Sequence, residues 1–232
     1  MKAAIMQPYF FPYIGYFQLI AAADLFIVYD NIKYTKKGWI NRNRMLQDGK
    51  DKLFSLPLRK GSDFLDVRDR FLAADFDRGK LLATLRAAYA RAPYFSQAFP
   101  LIERCIGFEG SNLFDYLCHA LTNTCAFLGI ETEIRISSQI DIDHTLTSQN
   151  KVLALCEAVG ADSYVNAIGG VELYSKQDFS NKGIALQFIR TRPFEYAQFG
   201  GEFIPMLSII DVLMFNSRET IRQNLLNNYD LI

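Results

Sequence analysis

Aromatic and polar side chains cluster between residues 7 and 16, directly after a short apolar segment at residues 2–6. In an open α/β sheet, ligands bind outside the carboxyl ends of the strands. The helix predicted to follow offers free N–H groups and the positive end of its dipole, which suit a phosphate or carboxylate. The alternative is that these aromatic side chains only cover the end of the sheet. The residues predicted to form one wall of a ligand site are Gln7, Pro8, Tyr9, Tyr13, Gly15 and Tyr16.

A second polar cluster follows the next apolar segment, residues 25–29. Asp30 ends that segment and is the candidate general base or metal-binding carboxylate, although an aspartate at a strand end is often only a turn former. The single tryptophan stands among donors and acceptors able to hold a sugar, phosphate or carboxylate. Loop polarity towards solvent is the alternative. The residues predicted to bind here are Lys33, Trp39, Asn41, Arg42 and Asn43.

Two further clusters come later in the chain. A glycine pair after a predicted strand permits a tight turn and the close approach of a ligand, and a purely structural turn is the alternative. Near the end, an apolar helix contains an aspartate that is either paired with a buried partner or part of the site. The candidate binding residues are Tyr164, Asn166, Gly169, Gly170 and Tyr174 in the first of these clusters, and Gln198 and Asp211 in the second.

Several common catalytic arrangements are absent. The sequence contains no Walker loop and no GxGxxG, GxSxG or HExxH motif. Of the two histidines, only His144, in a polar loop, is free to serve as a base. The four cysteines form no C-x-x-C pair, and we expect them to be buried free thiols. No ligand spacing indicates a metal, and the sequence identifies no cofactor.

The composition limits the classes of partner. The 232 residues carry 25 Lys plus Arg against 25 Asp plus Glu, so no general attraction to nucleic acid or to an anionic membrane is expected. No run of about 18 apolar residues predicts a membrane span, and Pro8 and Pro12 interrupt any signal peptide. We therefore expect a cytoplasmic protein with a small-molecule substrate, either a nucleotide or a sugar nucleotide.

The order of apolar segments predicts an α/β fold. Strand, turn, helix and strand within the first thirty residues indicate a βαβ unit with parallel, central strands. We expect one α/β domain over residues 1–232, with a mainly helical insertion at about 75–128. Further strands are predicted at 53–58, at a sheet edge because of Pro57, and at 130–136, 163–166 and 184–190. Helices are predicted at 14–22, 79–90, 111–128 with Ser111 as N-cap, and 149–159, and residues 207–226 are predicted to form one or two terminal helices.

Several segments in the same order resemble the WbqC-like family of bacterial proteins. They are QPYFFPYIGYFQLI, FIVYD with NIKYTKKGWINRNR, ARAPYF, GADSYVNAIGGVELY and LSIIDVLMFN, which together run through nearly the whole chain. The resemblance implies a role near sugar-nucleotide chemistry, because such proteins are associated with gene clusters for surface polysaccharide, notably O-antigen. It also implies the transfer of an aminoacyl group such as glycine to an amino sugar, and partners among surface-glycan biosynthesis enzymes.

The segment Tyr13-Ile14-Gly15-Tyr16 is also similar to the H-x-G-H signature of nucleotidylyltransferases. In those enzymes two histidines stabilise the phosphates of a nucleoside triphosphate at the start of the same helix. Both are tyrosines here, which carry no positive charge at neutral pH. The similarity therefore favours the fold, a Rossmann-like (nucleotidylyltransferase/HUP-like) parallel sheet flanked by helices, more than it favours the reaction.

Together these observations predict a group transferase that acts on a nucleotide-linked amino sugar. Lys33 and Arg42 would neutralise a phosphate or carboxylate, and Asp30 would be the base that frees an amine for attack. Trp39, Asn41 and Asn43 would orient the sugar. The alternatives are a nucleotidylyl-transferring or adenylate-forming enzyme, and a sugar-nucleotide-binding module without catalysis.

Overall fold

A six-stranded sheet lies at the centre of the computed structural model, which describes residues 1–232. The eight strands are β1 (Lys2–Met6), β2 (Leu25–Val28), β3 (Arg42–Gln47), β4 (Lys50–Ser55), β5 (Glu133–Ile136), β6 (Ser163–Ala167), β7 (Ala185–Thr191) and β8 (Tyr229–Leu231). Six of them follow the order β5-β2-β1-β6-β7-β8, with all neighbours parallel except β7 and β8. The Rossmann-like α/β fold predicted from the sequence is therefore confirmed.

Eight α-helices flank the sheet. They are α1 (Ile14–Ala21), α2 (Arg78–Tyr89), α3 (Phe95–Ile106), α4 (Leu113–Leu128), α5 (Ser148–Ala158), α6 (Lys176–Asn181), α7 (Ile209–Phe215) and α8 (Arg218–Asn227). The predicted helical segments agree with these within a few residues. The cap of α4 differs, because it is the Asn112 side chain, not that of Ser111, that accepts the N–H of Asp115. None of the helices combines the length and the apolar character that crossing a membrane requires.

The central strands are buried on both faces because successive side chains point to opposite sides of the sheet. In β1, Ala4 packs into a cluster of 47 buried residues on one side. Its neighbours Ala3 and Ile5 pack into a cluster of 14 on the other side. The larger cluster also takes in α2, α3, α4 and α7, so the helices between residues 78 and 128 share their core with the sheet.

The strand predicted at residues 53–58 lies elsewhere than expected. Residues 50–55 form β4, which pairs with β3 in a separate antiparallel hairpin and does not join the edge of the main sheet. The sequence does not predict β3, because its polar residues Arg42 to Arg44 are typical of a loop. The short strand β8 was also missed. It adds an antiparallel edge next to β7.

Candidate functional site

A cavity of about 850 Å³ opens at the carboxyl ends of β1, β2 and β6. The chain leaves β1 through α1 and returns in β2 on one side, whereas β6 lies on the other side of β1. The loops after β1 and β6 therefore diverge, and this divergence creates the crevice in which ligands bind in open α/β sheets. The position of the cavity thus follows from the strand order.

Three clusters that are far apart in the sequence meet at this cavity. Of the residues predicted to bind, those that line it are Gln7, Tyr9, Tyr13, Gly15, Tyr16, Lys33, Asn166, Gly169, Gly170 and Tyr174. The structure places the other predicted residues outside the lining, namely Pro8, Asp30, Trp39, Asn41, Arg42, Asn43, Tyr164, Gln198 and Asp211.

The aromatic turn after β1 divides its side chains between the core and the cavity. Phe10 and Phe11 are fully buried in the large cluster, whereas the rings of Tyr9 and Tyr13 border the cavity. Phe11 has a φ of 44°, a conformation that costs a bulky residue energy. The Asn43 amide (2.8 Å) and the Ser208 hydroxyl (2.7 Å) both donate to the carbonyl oxygen of Phe11. The role of Asn43 in this geometry is thus to hold the turn rather than to orient a sugar.

The glycines at the cavity serve different purposes. A Cβ on Gly15 would lie 2.4 Å from the Tyr13 ring and 2.5 Å from the Thr191 hydroxyl, so the group that comes close there is protein and not ligand. A Cβ on Gly170 would lie 2.4 Å from the Asn166 amide nitrogen. At Gly169 nothing lies within 4 Å of the Cβ position, which leaves that backbone open to the cavity.

The Asp30 carboxylate is buried and bound by two serines. Its Oδ1 accepts the Ser137 hydroxyl (2.7 Å) and the Ser138 N–H (2.9 Å), and its Oδ2 accepts the Ser138 hydroxyl (2.6 Å). These bonds join the end of β2 to the turn after β5. Asp30 therefore lies behind the cavity wall, where it positions the neighbouring Asn31, a lining residue.

Both ring nitrogens of His144 are engaged. Asn31 Nδ2 lies 2.9 Å from His144 Nδ1, and His144 Nε2 lies 3.0 Å from the carbonyl oxygen of Ile140. An amide NH₂ can only donate and a carbonyl can only accept, so in this arrangement Nδ1 accepts from Asn31 and Nε2 donates to Ile140. His144 lines the cavity, but as the anchor of the loop before α5 and without a free nitrogen for proton transfer.

An irregular segment brings a carboxylate to the site. Residues 65–68 run beside residues 30–34, with the N–H of Val67 donating to the Ile32 carbonyl (2.9 Å) and that of Arg68 donating to the Asp30 carbonyl (3.2 Å). Asp66 and Arg68 thereby line the cavity, and Asp66 Oδ2 lies 4.0 Å from Arg68 Nε. Asp66 is the only Asp or Glu side chain in the lining.

A buried lysine completes the wall. Lys151 is on the first turn of α5, and only 4% of the residue is exposed. Its ammonium lies 3.4 Å from the carbonyl oxygens of both Asn31 and His144, and 5.3 Å from the centre of the Tyr29 ring. Burial lowers the pKa of Lys151, and the nearby Asp66 carboxylate opposes that shift.

A family model described as "WbqC-like protein family" matches residues 7–223, which include every lining residue except Ile5 and Met6. The chain belongs to the WbqC-like protein family. The "Uncharacterized protein Rv1507c" of Mycobacterium tuberculosis (strain ATCC 25618 / H37Rv) is 29% identical over 219 residues, covering 93% of each chain. No solved structure matches.

The predicted residues outside the lining of this WbqC-like protein have structural partners. Arg42 donates to the carbonyls of Gly38 and Lys37, and its guanidinium lies 5.9 Å from the ring of the half-exposed Trp39. Asn41 accepts the Tyr34 hydroxyl and donates to the Leu56 carbonyl. These bonds join the loop before β3 to its surroundings.

Asp211 is paired rather than part of the cavity. Its carboxylate accepts the hydroxyls of Tyr89 (2.9 Å) and Tyr196 (2.7 Å) and the amide of Gln198 (2.8 Å). Burial raises the pKa of Asp211, and these three donors limit the rise. Tyr164 is fully buried under the sheet, where its ring stacks on Phe179.

The cavity carries a positive balance of charge in this WbqC-like protein. Lys33, Arg68 and Lys151 face the single carboxylate of Asp66. Burial raises the pKa of Tyr9 and Tyr13 above the ordinary tyrosine value and that of Tyr29 to about 12, so these phenols are neutral donors and acceptors. The arrangement is suited to a small molecule with an anionic part and a polar, uncharged part. No group of three or more His, Cys, Asp or Glu side chains could hold a metal ion.

Proposed function

We propose that this WbqC-like protein transfers an acyl group, such as glycyl, to the amine of a nucleotide-linked amino sugar during surface-polysaccharide assembly. The observation that carries the proposal is the cavity at the carboxyl ends of β1, β2 and β6, where three cations face one carboxylate. Its volume of about 850 Å³ lies in the range of sites for drug-sized ligands. The amino sugar and the role in polysaccharide assembly are inferred from the family resemblance. The anionic nature of the ligand is inferred from the three cationic side chains that line the cavity.

In this proposal the cations hold the phosphate groups of the ligand, and the uncharged polar residues hold the sugar. Tyr9, Tyr13 and Asn166 present hydroxyl and amide groups to the cavity, and the open backbone at Gly169 lets the sugar come close. Hydrogen bonds of this kind orient a sugar without adding charge.

In this proposal the general base is Asp66, and not Asp30 as expected from the sequence. The Asp30 carboxylate already accepts three hydrogen bonds and lies behind the wall, whereas Asp66 borders the cavity. The amine nitrogen forms a bond to the acyl carbon of an activated donor, the donor's leaving group departs with the bonding electron pair, and the amine proton passes to Asp66.

The first test measures thermal stabilisation against nucleotides, nucleotide-linked amino sugars and activated acyl donors, each with and without Mg²⁺. A ligand at 100 times its Kd stabilises a folded protein by about 2.7 kcal/mol, which appears as a clear rise in Tm. Ligands that stabilise the protein are then incubated with an activated glycyl donor, and mass spectrometry looks for an amino sugar heavier by one glycyl group. Asp66→Asn should lower the rate of product formation by roughly 10²-fold or more. The control Asp63→Asn should form product at the wild-type rate, because Asp63 pairs with Lys36 outside the cavity.

Binding without turnover is the second candidate function. It is favoured by the hydrogen bonds that already occupy the His144 ring nitrogens and the Asp30 carboxylate. Asp66 is then the only carboxylate or imidazole in the cavity lining that is available to accept a proton. This alternative predicts saturable binding of a sugar nucleotide and no product with any donor. A nucleotidylyl transferase instead predicts Mg²⁺-dependent release of pyrophosphate from a nucleoside triphosphate.

A further inference from the structure

The start of α5 forms part of the cavity wall and has unused hydrogen-bond donors. Thr147, Ser148 and Gln149 all line the cavity. The N-cap residue Thr147 makes no side-chain cap, and the backbone N–H groups of Ser148 and Gln149 have no acceptor within the protein. Free amides at the positive end of an eleven-residue helix attract an anion.

The ammonium of Lys151 lies in the same turn and is in contact with no carboxylate. Lys151 forms no salt bridge, and its only hydrogen-bond acceptors are two backbone carbonyls at 3.4 Å. A buried charge without an ionic partner destabilises a fold. Its presence in a cavity wall therefore points to a ligand that supplies the missing negative charge.

The start of α1 also has free backbone amides, but it has no cationic side chain beside them. The side chains there are the neutral phenols of Tyr9, Tyr13 and Tyr16, and no basic residue of the lining belongs to that segment. The hydroxyl of Tyr16 is committed to the Gln7 carbonyl at 2.7 Å. The ring of Tyr13 covers the first turn, close to Gly15. An anion at this end would meet no compensating charge.

We propose that the diphosphate of the ligand binds at the start of α5, against the ammonium of Lys151 and the free amides of Ser148 and Gln149. Lys33 and Arg68 lie at the exposed rim on the same side of the cavity, where they meet the outer phosphate. The uncharged part of the ligand then extends towards α1 and Gly169. This places the phosphates at a different helix from the one that the H-x-G-H similarity would indicate. The inference deepens the proposed function and rests on it for the identity of the whole ligand.

Inorganic pyrophosphate is the probe for this site, and isothermal titration calorimetry gives its Kd. Lys151→Met, which keeps the length of the side chain, should weaken pyrophosphate binding by roughly 10- to 100-fold, the range for loss of one hydrogen bond to a charged group. Lys80→Met is the matched control, because it removes the same charge from an exposed position on α2. Tyr13→Phe tests the α1 end. Lys80→Met and Tyr13→Phe should both bind pyrophosphate with the Kd of the wild type.

The folded state of Lys151→Met is checked by its circular dichroism spectrum and its Tm, which should be unchanged or higher because a buried charge is removed. Pyrophosphate affinity that survives in Lys151→Met, or that is lost in Tyr13→Phe instead, would overturn the placement, as would a wild type that does not bind pyrophosphate saturably. Binding through Lys151 without any acyl transfer would reject the proposed function and leave the phosphate site standing. Acyl transfer to an amino sugar, together with an unchanged Kd for pyrophosphate in Lys151→Met, would support the proposed function and reject the phosphate site.

Discussion

Replacing Gly15 with alanine should destabilise the protein, whereas the same change at Gly169 should not. The new methyl group at position 15 would lie 2.4 Å from the Tyr13 ring and 2.5 Å from the Thr191 hydroxyl, well inside van der Waals contact. Overpacking of this kind costs about 1–3 kcal/mol. For a chain of this size, 1 kcal/mol changes Tm by about 2–4 °C, so Gly15→Ala should lower Tm by roughly 2–12 °C.

Gly169→Ala is the matched control because nothing lies within 4 Å of its Cβ position. Its free energy of unfolding should equal that of the wild type or exceed it slightly, since alanine reduces the entropy of the unfolded chain by about 0.4–1 kcal/mol. Its methyl group extends into the cavity, so its affinity for a stabilising sugar nucleotide should fall. Chemical denaturation followed by fluorescence measures both variants. A Gly15→Ala protein as stable as the wild type, or a Gly169→Ala protein as unstable as Gly15→Ala, would refute the described packing of Tyr13 on α1.

Three further predictions concern charged groups. Asp66→Asn should lower kcat for acyl transfer by roughly 10²-fold or more with the fold intact, whereas Asp30→Asn should mainly lower the free energy of unfolding. Steady-state kinetics and chemical denaturation measure the two effects. A large loss of kcat in Asp30→Asn with normal turnover in Asp66→Asn would return the role of general base to Asp30. Burial lowers the pKa of Lys151, so the native state holds fewer protons than the unfolded state between that pKa and the ordinary lysine value of about 10.4. The stability of the wild type relative to Lys151→Met should therefore rise with pH in this interval. A stability difference that does not change with pH would contradict the burial of the ammonium. Burial raises the pKa of Asp211. The stability of the wild type relative to Asp211→Asn should therefore be greatest below the unfolded pKa of about 3.9 and should fall as the pH rises through the folded pKa, which denaturation at several pH values can measure. A stability difference that instead increases with pH would show that the hydrogen bonds from Tyr89, Tyr196 and Gln198 outweigh the burial.

The fold was predictable because its signals are local. Residues 2–28 contain two largely apolar strands around a helix, and this βαβ pattern defines the centre of a parallel sheet. The start of α7 is also marked locally, because Ser208 is a residue type that caps helices and its hydroxyl accepts the N–H of Ile210. The hairpin was harder to predict, because β3 and β4 carry polar residues on their exposed faces and resemble loops in the sequence.

About half of the candidate site followed from one rule, that residues directly after parallel strands meet at the same edge of the sheet. This rule located Gln7, Lys33 and Asn166 at the cavity. It could not locate Asp66, which follows no strand of the main sheet and reaches the cavity through backbone pairing with residues 30–34. It also missed Lys151, since a lysine on a predicted helix ordinarily faces solvent and only the tertiary structure buries it.

The rule also selected residues whose polar groups serve the fold. Asp30 lies just after β2 and Asn43 lies at the start of β3. The Asp30 side chain accepts hydrogen bonds from Ser137 and Ser138, and that of Asn43 donates to the turn after β1. Residue type and position cannot separate these two roles. The separation depends on whether a backbone or side-chain partner lies within hydrogen-bond distance, and that is a property of the folded chain.

The cavity wall is assembled from segments near residues 7, 31, 66, 148 and 167, which no short stretch of chain contains together. A bound ligand would therefore slow amide hydrogen exchange at all five segments at once. It would also leave as soon as any one of them opened. The residence time of the ligand is then set by whichever of the five segments opens most readily.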